Sequence, residues 1–285
     1  MVVERIEDDE LRTVFKVDVS AEHLGLFWRE LGQEFAAVRS GVAPDPATVP
    51  HGYGTLPFAR QMNARAYDAI SADYGDRLFE DEMYRVAFED WVARLPAGGH
   101  VLDVGCGHGA PVVAELLKRG FRVTGLDVSE AMLARARTAC PSAAFLNCPP
   151  TELTKQDTYD GVCSFFALLH TDPIELRVAL DRIRRALKPG GYLLIGSLLS
   201  DVSAHQGPLY CFKQQRVWGC EFSAAELQAA LTARDGFTVL HQVTDVKDVD
   251  TASDGPSPEA SANKPTVFGG KQRAEWFTVL AQRKT

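Results

Sequence analysis

Apolar residues recur three or four positions apart in two parts of the first hundred residues, which is the spacing of one helix face. The two series are Leu24, Phe27, Leu31 and Phe35, and then Tyr84, Phe88, Trp91 and Leu95. Tyr67, Ile70 and Tyr74 indicate a further helix, and the segment 41–54, rich in Pro and Gly, is interpreted as a loop. We therefore predict a helical N-terminal extension over residues 1–97, which we interpret as a lid.

From His100 onward, short apolar runs alternate with helical periods, which is typical of a parallel sheet covered by helices. Strands are predicted at 101–104, 122–127, 144–147, 161–166, 192–197, 237–243 and 276–281. Helices are predicted at 112–119, 130–138 and 174–187. Residues 98–285 are therefore predicted to form an α/β core. Its sheet is doubly wound, mostly parallel, seven-stranded and Rossmann-like, with an antiparallel C-terminal strand.

Two short motifs set element boundaries later in the chain. The K-P-G-G stretch at 188–191 is predicted to stop a helix and lead into a strand, because proline cannot continue a helix. Ser223 and Glu226 form a capping box ahead of another helix. The segment 201–219 carries no clear period, and 250–270, rich in Ser, Pro, Ala and Gly, is predicted to be a mobile loop.

The composition is that of an ordinary globular protein, with 46% hydrophobic and 24% charged residues in a chain of 285. No uninterrupted apolar run of ~18 residues occurs, so no transmembrane helix is expected. The acidic stretch 1–10 lacks the pattern of a secretion signal. None of the six cysteines lies in a Cys-x-x-Cys motif or at zinc spacing from histidines. We therefore expect a cytoplasmic protein with reduced cysteines and no metal site.

The formal net charge is −8, so the protein as a whole repels phosphate backbones. The densest basic clusters are short and lie on predicted helices with apolar faces, where solvated helix surface is the better interpretation. These clusters are Arg135 with Arg137, and Arg182, Arg184, Arg185 and Lys188. A nucleic-acid partner is therefore disfavoured and a small-molecule substrate is expected. The sequence predicts no particular oligomeric state.

A glycine-rich stretch at 101–109, V-L-D-V-G-C-G-H-G, follows a predicted strand and opens a helix. Glycine lets the backbone turn tightly and approach a ligand, and the helix that follows presents free N–H groups. Gly105, Gly107 and Ala110 also match the dinucleotide pattern G-x-G-x-x-A. Asp127 ends the next strand, 22 residues after Gly105, and a carboxylate there can accept hydrogen bonds from ribose hydroxyls. These features predict an adenosine-containing ligand without deciding which one.

Further features favour a methyl donor over a nicotinamide cofactor. Asp103, two positions before Gly105, is unusual for a dinucleotide site, and no Tyr-x-x-x-Lys pair of the short-chain reductase kind occurs. The stretch 101–109 resembles the first motif of the class I S-adenosylmethionine-dependent methyltransferases. Two later stretches resemble other motifs of that family, namely G-L-D-V-S at 125–129 with Met132 and Leu133, and A-L-K-P-G-G-Y at 186–192.

The resemblance covers about residues 67–281 and is nearest to the branch that modifies small molecules such as quinones and secondary metabolites. It implies S-adenosylmethionine as the cofactor and S-adenosylhomocysteine as the product. It also implies that one loop approaches the methionine part of the cofactor through its backbone and that Asp103 supports this loop and the cofactor's amino group. The loop residues are Gly105, Cys106, Gly107 and Gly109.

The same resemblance assigns the rest of the cofactor to side chains at the ends of the next strands. Asp127 would hold the ribose, and Phe165 and Phe166 would border the methyl group. Val128 and Met132 would pack on the adenine, although ordinary core packing explains these two residues equally well.

Two further positions in the cofactor site come from comparison with the family pattern. Related enzymes place an N-terminal tyrosine near the cofactor carboxylate, a role that Tyr74 would take. They also often carry an Asp four residues before a Leu to reach the adenine amino group. Here Leu153 is present, but the matching position is Pro149, next to Cys148, so the amino group must be met by backbone or another side chain.

Methyl transfer to a hydroxyl or amine needs a base, because the nucleophile loses a proton. His170 follows the fourth predicted core strand, at the carboxyl edge where doubly wound sheets bind ligands. Imidazole titrates close to neutral pH, which suits this task. We therefore hypothesise that His170 is the catalytic base or orients the substrate. The alternative is that His170 only caps the loop before the next helix.

The substrate pocket is predicted to come from two aromatic-rich regions, which suits a flat or apolar molecule. Their aromatic and histidine residues are Trp28, Tyr53, Phe58 and Tyr74, and then His205, Tyr210, Phe212 and Trp218. Such aromatic residues are also common in hydrophobic cores. Two other functions stay open at this point: an NAD(P)-dependent oxidoreductase on the same core, and a protein of this fold that binds the cofactor without methylating.

Overall fold

The chain divides into two compact units, Met1–Thr48 and Val49–Thr285. The computed structural model describes residues 2–7, 13–18, 57–75, 78–171, 173–199, 206–212, 215–220, 222–232, 236–249 and 272–284. The predicted helical series at 24–35 and the predicted loops at 41–54 and 250–270 lie outside these residues. Within the described ranges, no helix is both long and apolar enough to cross a membrane.

The first unit contains a β-hairpin, so the prediction of helices throughout the first hundred residues is wrong at this end of the chain. Strands β1 (Val2–Glu7) and β2 (Thr13–Asp18) pair antiparallel, with Val2 opposite Asp18. Both segments are rich in Val, Ile, Thr and Phe, whose branched or aromatic side chains favour strands. The tightly spaced apolar and charged residues follow no helical period.

The second unit begins with two helices, which confirms the helical prediction for this part of the chain. These are α1 (Pro57–Ile70) and α2 (Glu82–Ala93). Helix α2 starts at Asp81, whose side chain accepts a hydrogen bond from the N–H of Met83 at 3.0 Å. Trp91 is fully buried, and its indole N–H donates to the carbonyl of Tyr192 in the sheet. Both helices therefore belong to the same compact unit as the sheet.

A seven-stranded sheet forms the centre of this unit, as predicted. Its strands are β3 (His100–Val104), β4 (Arg122–Asp127), β5 (Ala144–Asn147), β6 (Tyr159–Phe165), β7 (Leu187–Leu199), β10 (Phe237–Val249) and β11 (Gln272–Arg283). Their order across the sheet is β10-β11-β7-β6-β3-β4-β5. Strand β11 runs antiparallel to both neighbours, whereas the pairs among β3 to β7 are parallel.

Four helices connect or cover the strands of the sheet: α3 (Val112–Lys118), α4 (Glu130–Ala139), α5 (Pro173–Ala186) and α6 (Ala224–Thr232). The capping box before α6 is confirmed. The N–H of Ser223 donates to the carboxylate of Glu226 at 2.9 Å, and the Glu226 N–H donates to the Ser223 hydroxyl at 3.2 Å. Ser129 caps α4 by accepting the N–H of Met132.

Two segments differ from their predicted structure. Helix α5 ends at Ala186, and β7 already begins at Leu187, so the K-P-G-G stretch lies inside an irregular strand and not before it. The segment without a clear period contains a second hairpin, β8 (Gln206–Phe212) and β9 (Gln215–Cys220). Its register is irregular around Pro208, which explains why no regular alternation marks these strands.

Apolar side chains cover both faces of the central strands, which places two core clusters on opposite sides of the sheet. Leu102 and Val162 pack into one cluster, and their neighbours Val101 and Cys163 pack into the other. Such burial on both faces is typical of parallel sheets. The chain leaves β3 toward β4 on one side and reaches β6 on the other, so a crevice opens between the carboxyl ends of β3 and β6.

Candidate active site

A cleft lies at this carboxyl edge of the sheet. It is lined by residues of α1 and of the segment that follows it, and by residues at the carboxyl ends of β3, β4 and β6 and in the loops after them. Residues of the turn after β5 and of the first turns of α4 and α5 complete the lining. The lining residues are Arg60, Asn63, Tyr67, Tyr74, Val104, Gly105, Gly107, Leu126, Asp127, Val128, Met132, Pro149, Pro150, Thr151, Phe165, Phe166, Ala167, His170, Thr171 and Glu175. The cleft wall is therefore mostly apolar and aromatic, with a few polar groups converging on it.

The glycine loop after β3 forms one wall of the cleft through its backbone. The N–H groups of Gly105 and Cys106 both donate to the carbonyl of Leu126, at 2.7 and 3.0 Å, which fixes the loop against β4. Gly105 and Gly107 have positive φ angles of 78° and 51°. A Cβ atom at Gly105 would lie 2.2 Å from the Cβ of Ala167, whereas one at Gly107 would meet open space. The loop thus offers bare backbone to a ligand.

Asp127 lies where the sequence places it, at the end of β4 and on the cleft. Its carboxylate accepts the N–H of Gly107 at 2.8 Å and the N–H of Ser129 at 2.9 Å. Burial raises the pKa of Asp127, and the hydrogen bonds from Ser129 and Gly107 oppose this shift. Asn147 donates to the carbonyls of Asp127 and Val128 and holds the turn in place. A carboxylate accepts about four hydrogen bonds, so Asp127 can still accept hydroxyl groups.

Six other residues predicted to bind the cofactor also line the cleft: Tyr74, Gly107, Val128, Met132, Pro149 and Phe165. Met132 is almost fully buried. The structure therefore brings residues from the segment after α1, from the loops after β3 and β4, from the turn after β5 and from the end of β6 together at one cleft.

Asp103, Cys106, Gly109 and Cys148 were also predicted to bind the cofactor, but none of these four residues lines the cleft. Asp103 is buried beneath the loop, where its carboxylate accepts the thiol of Cys163 at 3.5 Å.

The other three residues face protein and not the cleft. The buried sulfur of Cys106 lies where a Cβ at Gly125 would clash with it, at 2.6 Å. Gly109 lies against α4, since a Cβ there would meet Cys140 and Ala136. Cys148 packs at the edge of a core cluster.

His170 lines the cleft, as the sequence hypothesis requires, and hydrogen-bonds to a residue that the hypothesis missed. The Tyr67 hydroxyl oxygen lies 2.8 Å from His170 Nε2. Tyr67 also packs edge-on against Tyr74, with ring centroids 6.1 Å apart. Helical spacing predicted the helix that carries Tyr67 but not the side of the molecule that it faces. The sequence signal that could have found it is the shared helix face of Arg60, Asn63 and Tyr67.

Helix α1 is fixed across the cleft by polar contacts at two more points. The carboxylate of Asp68 accepts the Ser129 hydroxyl at 2.6 Å and the Ala131 N–H at 3.0 Å, at the N-terminus of α4. Arg60 forms an ion pair with Glu152 after β5. A carboxylate at a helix N-terminus is favourable because the helix dipole is positive there. Helix α1 is thus a structural wall of the site.

An aromatic cluster closes the cleft beneath the end of β6. Tyr84 of α2 packs edge-on against Phe165 and Phe166, with ring centroids 5.9 and 5.2 Å apart. Phe166 has a φ of 57°, which is rare for a bulky residue, and its N–H donates to the carbonyl of Gly196. Such backbone conformations concentrate at functional sites. Burial raises the pKa of the Tyr84 hydroxyl well above its ordinary value, so it stays neutral.

Of the predicted substrate residues in both groups, Tyr74 has a described side chain and lines the cleft. Trp28, Tyr53 and His205 lie outside the described residues, as do the side chains of Phe58, Tyr210, Phe212 and Trp218. Among the residues that are described, no three His, Cys, Asp or Glu side chains come together as a metal site would require.

The fold and the cleft together define a class of protein: a doubly wound α/β protein whose cleft at the switch point fits an adenosyl ligand. A bare backbone loop faces the carboxylate of Asp127, and an apolar wall containing Val128 and Met132 lies next to them. These are the groups that an amino acid moiety, a ribose and an adenine require in turn. The residues present therefore fit S-adenosylmethionine.

Comparison with known proteins identifies the family to which the chain belongs. A methyltransferase domain family matches residues 76–242, more than half of the chain. The chain is 30% identical over 193 residues to the O-methyltransferase resE of Aspergillus sclerotiorum, covering 63% of this chain and 72% of that enzyme. It is 49% identical over 126 residues to the trans-aconitate 2-methyltransferase of Paracidovorax citrulli, strain AAC00-1. That match covers 42% of this chain and 46% of the relative, so it spans less than half of the relative's length.

Among solved structures, the chain is similar to the 1,6-didemethyltoxoflavin-N1-methyltransferase of Burkholderia thailandensis, crystallised with 1,6-didemethyltoxoflavin and S-adenosylhomocysteine. The TM-score is 0.55 and the identity 24%, over 85% of this chain and 93% of that chain, a likeness of fold. The chain therefore belongs to the methyltransferase domain family. It is a class I S-adenosylmethionine-dependent methyltransferase, which confirms the resemblance found in the sequence.

Proposed function

We propose that this enzyme methylates an oxygen atom of a small, largely apolar molecule, with His170 as the base. The observation that carries this proposal is the position of His170 on an aromatic cleft that also contains Asp127. The O-methyltransferase relative from Aspergillus supports oxygen as the acceptor atom. The aromatic side chains of Phe165 and Phe166 suit a flat ring.

The cofactor would be held by the residues that line the loops after β3, β4 and β5. The carboxylate of Asp127 accepts the ribose hydroxyls, and the backbone of Gly105 and Gly107 makes room for the methionine part. Val128 and Met132 pack on the adenine. We assign Tyr74 to the cofactor's carboxylate end, as the family resemblance implies.

The adenine amino group meets a different partner here from the Asp of many related enzymes. Pro149 takes the position of that Asp, and it is followed by Pro150 and Thr151 on the cleft wall. Proline offers only a carbonyl oxygen, and threonine adds a hydroxyl oxygen. We propose that these oxygens accept hydrogen bonds from the adenine amino group.

The bound cofactor supplies an activated methyl group that is displaced from sulfur. The protein's own contribution is to align the acceptor, exclude water and remove a proton. Phe165 and Phe166, against which Tyr84 packs, present aromatic rings to the cleft that would exclude water, and His170 lies at the cleft to take the proton. An acceptor that is already ionised, such as a carboxylate, would need alignment alone.

The cellular setting proposed is the cytoplasm. The described cysteines Cys106, Cys140, Cys148 and Cys163 are free thiols, which suits a reducing compartment. Burial raises the pKa of each of these thiols, so they stay protonated and unreactive.

A matched set of acceptors tests the proposal. The purified enzyme is incubated with methyl-labelled S-adenosylmethionine and one of 1-naphthol, 1-naphthylamine, 1-naphthalenethiol or 1-naphthoic acid, which share one ring and differ in the nucleophile. We expect label in a methyl ether or ester and not in the amine or thiol products. In parallel with the labelling assay, the binding of S-adenosylhomocysteine and of NADH is measured by calorimetric titration. Binding of NADH alone, or cofactor binding without labelling of any acceptor or of a metabolite extract, would contradict the proposal.

A further inference from the structure

A hydrogen bond joins two groups that the chain brings from 103 residues apart. The hydroxyl oxygen of Tyr67, on α1, lies 2.8 Å from Nε2 of His170, on the short helix after β6. Their rings pack edge-on, with centroids 5.5 Å apart. Both side chains line the cleft, so an acceptor molecule can reach the pair.

We propose that Tyr67 and His170 act together as a proton relay and that the group they deprotonate is a hydroxyl. This inference rests on the proposed function, since it concerns the same cleft. Nε2 of His170 is already in contact with the Tyr67 hydroxyl. A neutral imidazole that accepts a hydrogen bond at Nε2 takes up its next proton there through that hydroxyl. A phenol oxygen can accept one proton while it donates its own.

The substrate hydroxyl oxygen forms a bond to the methyl carbon while the carbon–sulfur bond of the donor breaks and leaves its electron pair on sulfur. The hydroxyl proton passes to the oxygen of Tyr67, and the proton of Tyr67 passes to Nε2 of His170. The resulting imidazolium later returns its proton to water, and both side chains regain their starting state.

The chemistry of the pair favours a hydroxyl over a carboxylate as the acceptor. A carboxylic acid is already ionised at neutral pH and has no proton for a relay to take. A hydroxyl on an aromatic ring has a pKa of about 10, like that of tyrosine, so its loss of a proton limits its reactivity. The rings of Tyr67, Tyr74, Phe165 and Phe166 line the cleft and suit an aromatic acceptor.

Other ionisable groups on this cleft bear on the relay. Arg60 of α1 and Glu175 of α5 line it together with Asp127 and Tyr74. Because these groups share the cleft with His170, the test compares variants at one pH before any pH profile is measured. Changes in kcat and in KM are then separated for each variant.

The decisive variant is Tyr67→Phe, which keeps the ring and removes only the hydroxyl. With 1-naphthol as the acceptor, we expect kcat to fall about 100-fold, within the range for a lost acid–base group, with KM and S-adenosylhomocysteine affinity nearly unchanged. His170→Ala should reduce kcat at least as much, and the double variant should be no slower than His170→Ala, because the two residues act as one unit. With 1-naphthoate, Tyr67→Phe should have little effect. Tyr192→Phe, outside the cleft, is the matched control.

A spectroscopic measurement that needs neither turnover nor cofactor completes the test. In the ¹⁵N spectrum of histidine-labelled protein, the Nε2 resonance of His170 should shift between the wild type and Tyr67→Phe, and the ring should titrate differently. Equal slowing with 1-naphthol and 1-naphthoate, or an unchanged Nε2 resonance, would overturn the relay. Failure of the wild type to bind S-adenosylhomocysteine would instead overturn the proposed function, and the ¹⁵N comparison would still decide whether the pair exists.

Discussion

The carboxylate of Asp127 accepts the backbone N–H of Gly107 at 2.8 Å, which joins the acid at the end of β4 to the glycine loop after β3. The same carboxylate accepts the N–H of Ser129 at the start of the next turn. Asp127 therefore orders the loop and can accept further hydrogen bonds, as the proposed contact with the ribose requires. Removing its charge should affect both.

We expect Asp127→Asn to weaken S-adenosylhomocysteine binding by at least about 30-fold, equivalent to ~2 kcal/mol, since hydrogen bonds to a charged group contribute about 1.5–3 kcal/mol. The asparagine keeps the shape but has one acceptor oxygen in place of two. Isothermal titration calorimetry measures the change. Asp90→Asn on the exposed face of α2, where Asp90 pairs with Arg94, is the control and should bind normally. Equal affinities for the two variants would show that Asp127 does not hold the ribose.

Gly105 should not tolerate a side chain, for reasons of both strain and space. Gly105→Ala places a Cβ 2.2 Å from that of Ala167 at a φ of 78°. Gly120→Ala is a matched control, because Gly120 has a φ of 83° but open space around its Cβ position. We expect the control to lose about 1–2 kcal/mol of unfolding free energy from strain. Gly105→Ala should lose at least ~1 kcal/mol more from overpacking.

The double variant Gly105→Ala, Ala167→Gly isolates the steric part of this effect. Removing the methyl of Ala167 should restore the unfolding free energy that Gly105→Ala loses beyond the loss in Gly120→Ala. The loss caused by backbone strain should remain. Urea unfolding measures both. If Ala167→Gly gives no recovery, the close approach of the two loops is not what requires glycine here.

The contact between Asp68 and Ser129 should couple α1 to the cofactor site. We expect Asp68→Ala to weaken S-adenosylhomocysteine binding about tenfold, because it releases the Ser129 hydroxyl and the Ala131 N–H at the N-terminus of α4. A double-mutant cycle with Ser129→Ala, read by calorimetry, gives the coupling directly. Glu82→Ala, an exposed residue paired with Arg85, is the control. Additive effects would mean that Asp68 does not act through Ser129.

His100 should make stability depend on pH. Burial lowers the pKa of His100, and Arg122 adds to this shift; its ring contacts the hydroxyl of Thr124 and packs on Tyr159. As pH falls below the ordinary pKa of histidine, near 6.5, His100 binds a proton in the unfolded chain but stays neutral in the folded protein. The free energy of unfolding should therefore decrease on acidification through this window, down to the lowered folded pKa.

Urea unfolding at several pH values between neutral and pH ~5 tests this expectation against variants. His100→Gln keeps a hydrogen-bonding group but cannot titrate, so it should lose part of the pH dependence. His241→Gln, on an exposed stretch of β10, should retain it. The same slope for the wild type and both variants would assign the dependence to other groups.

The sequence was sufficient for the sheet and for one side of the cleft. Alternating strand and helix patterns define which segments pair, and the carboxyl ends of parallel strands meet at one edge. Gly105, Gly107 and Asp127 follow directly after their strands, so their convergence follows from local position. Local position does not predict the opposite side of the cleft, because α1 does not directly follow a strand of the seven-stranded sheet.

Residue type alone did not separate the predicted residues that line the cleft from those that face protein. Asp103, Cys106, Gly109 and Cys148 belong to segments that contact the cleft, yet their side chains or Cβ positions face protein. The hairpins β1–β2 and β8–β9 were missed because two-stranded ribbons leave a weak or interrupted alternation.

The sequence by itself determined a parallel sheet with a glycine loop and a carboxylate at one edge. The strands, the loop and the carboxylate are each specified by residues close to one another along the chain. Only the tertiary structure decided that Tyr67 meets His170 and that Asp68 meets Ser129, contacts that bridge 103 and 61 residues. Such contacts depend on how a helix docks on a distant loop. Docking is set by the packing of whole surfaces, which no local pattern records.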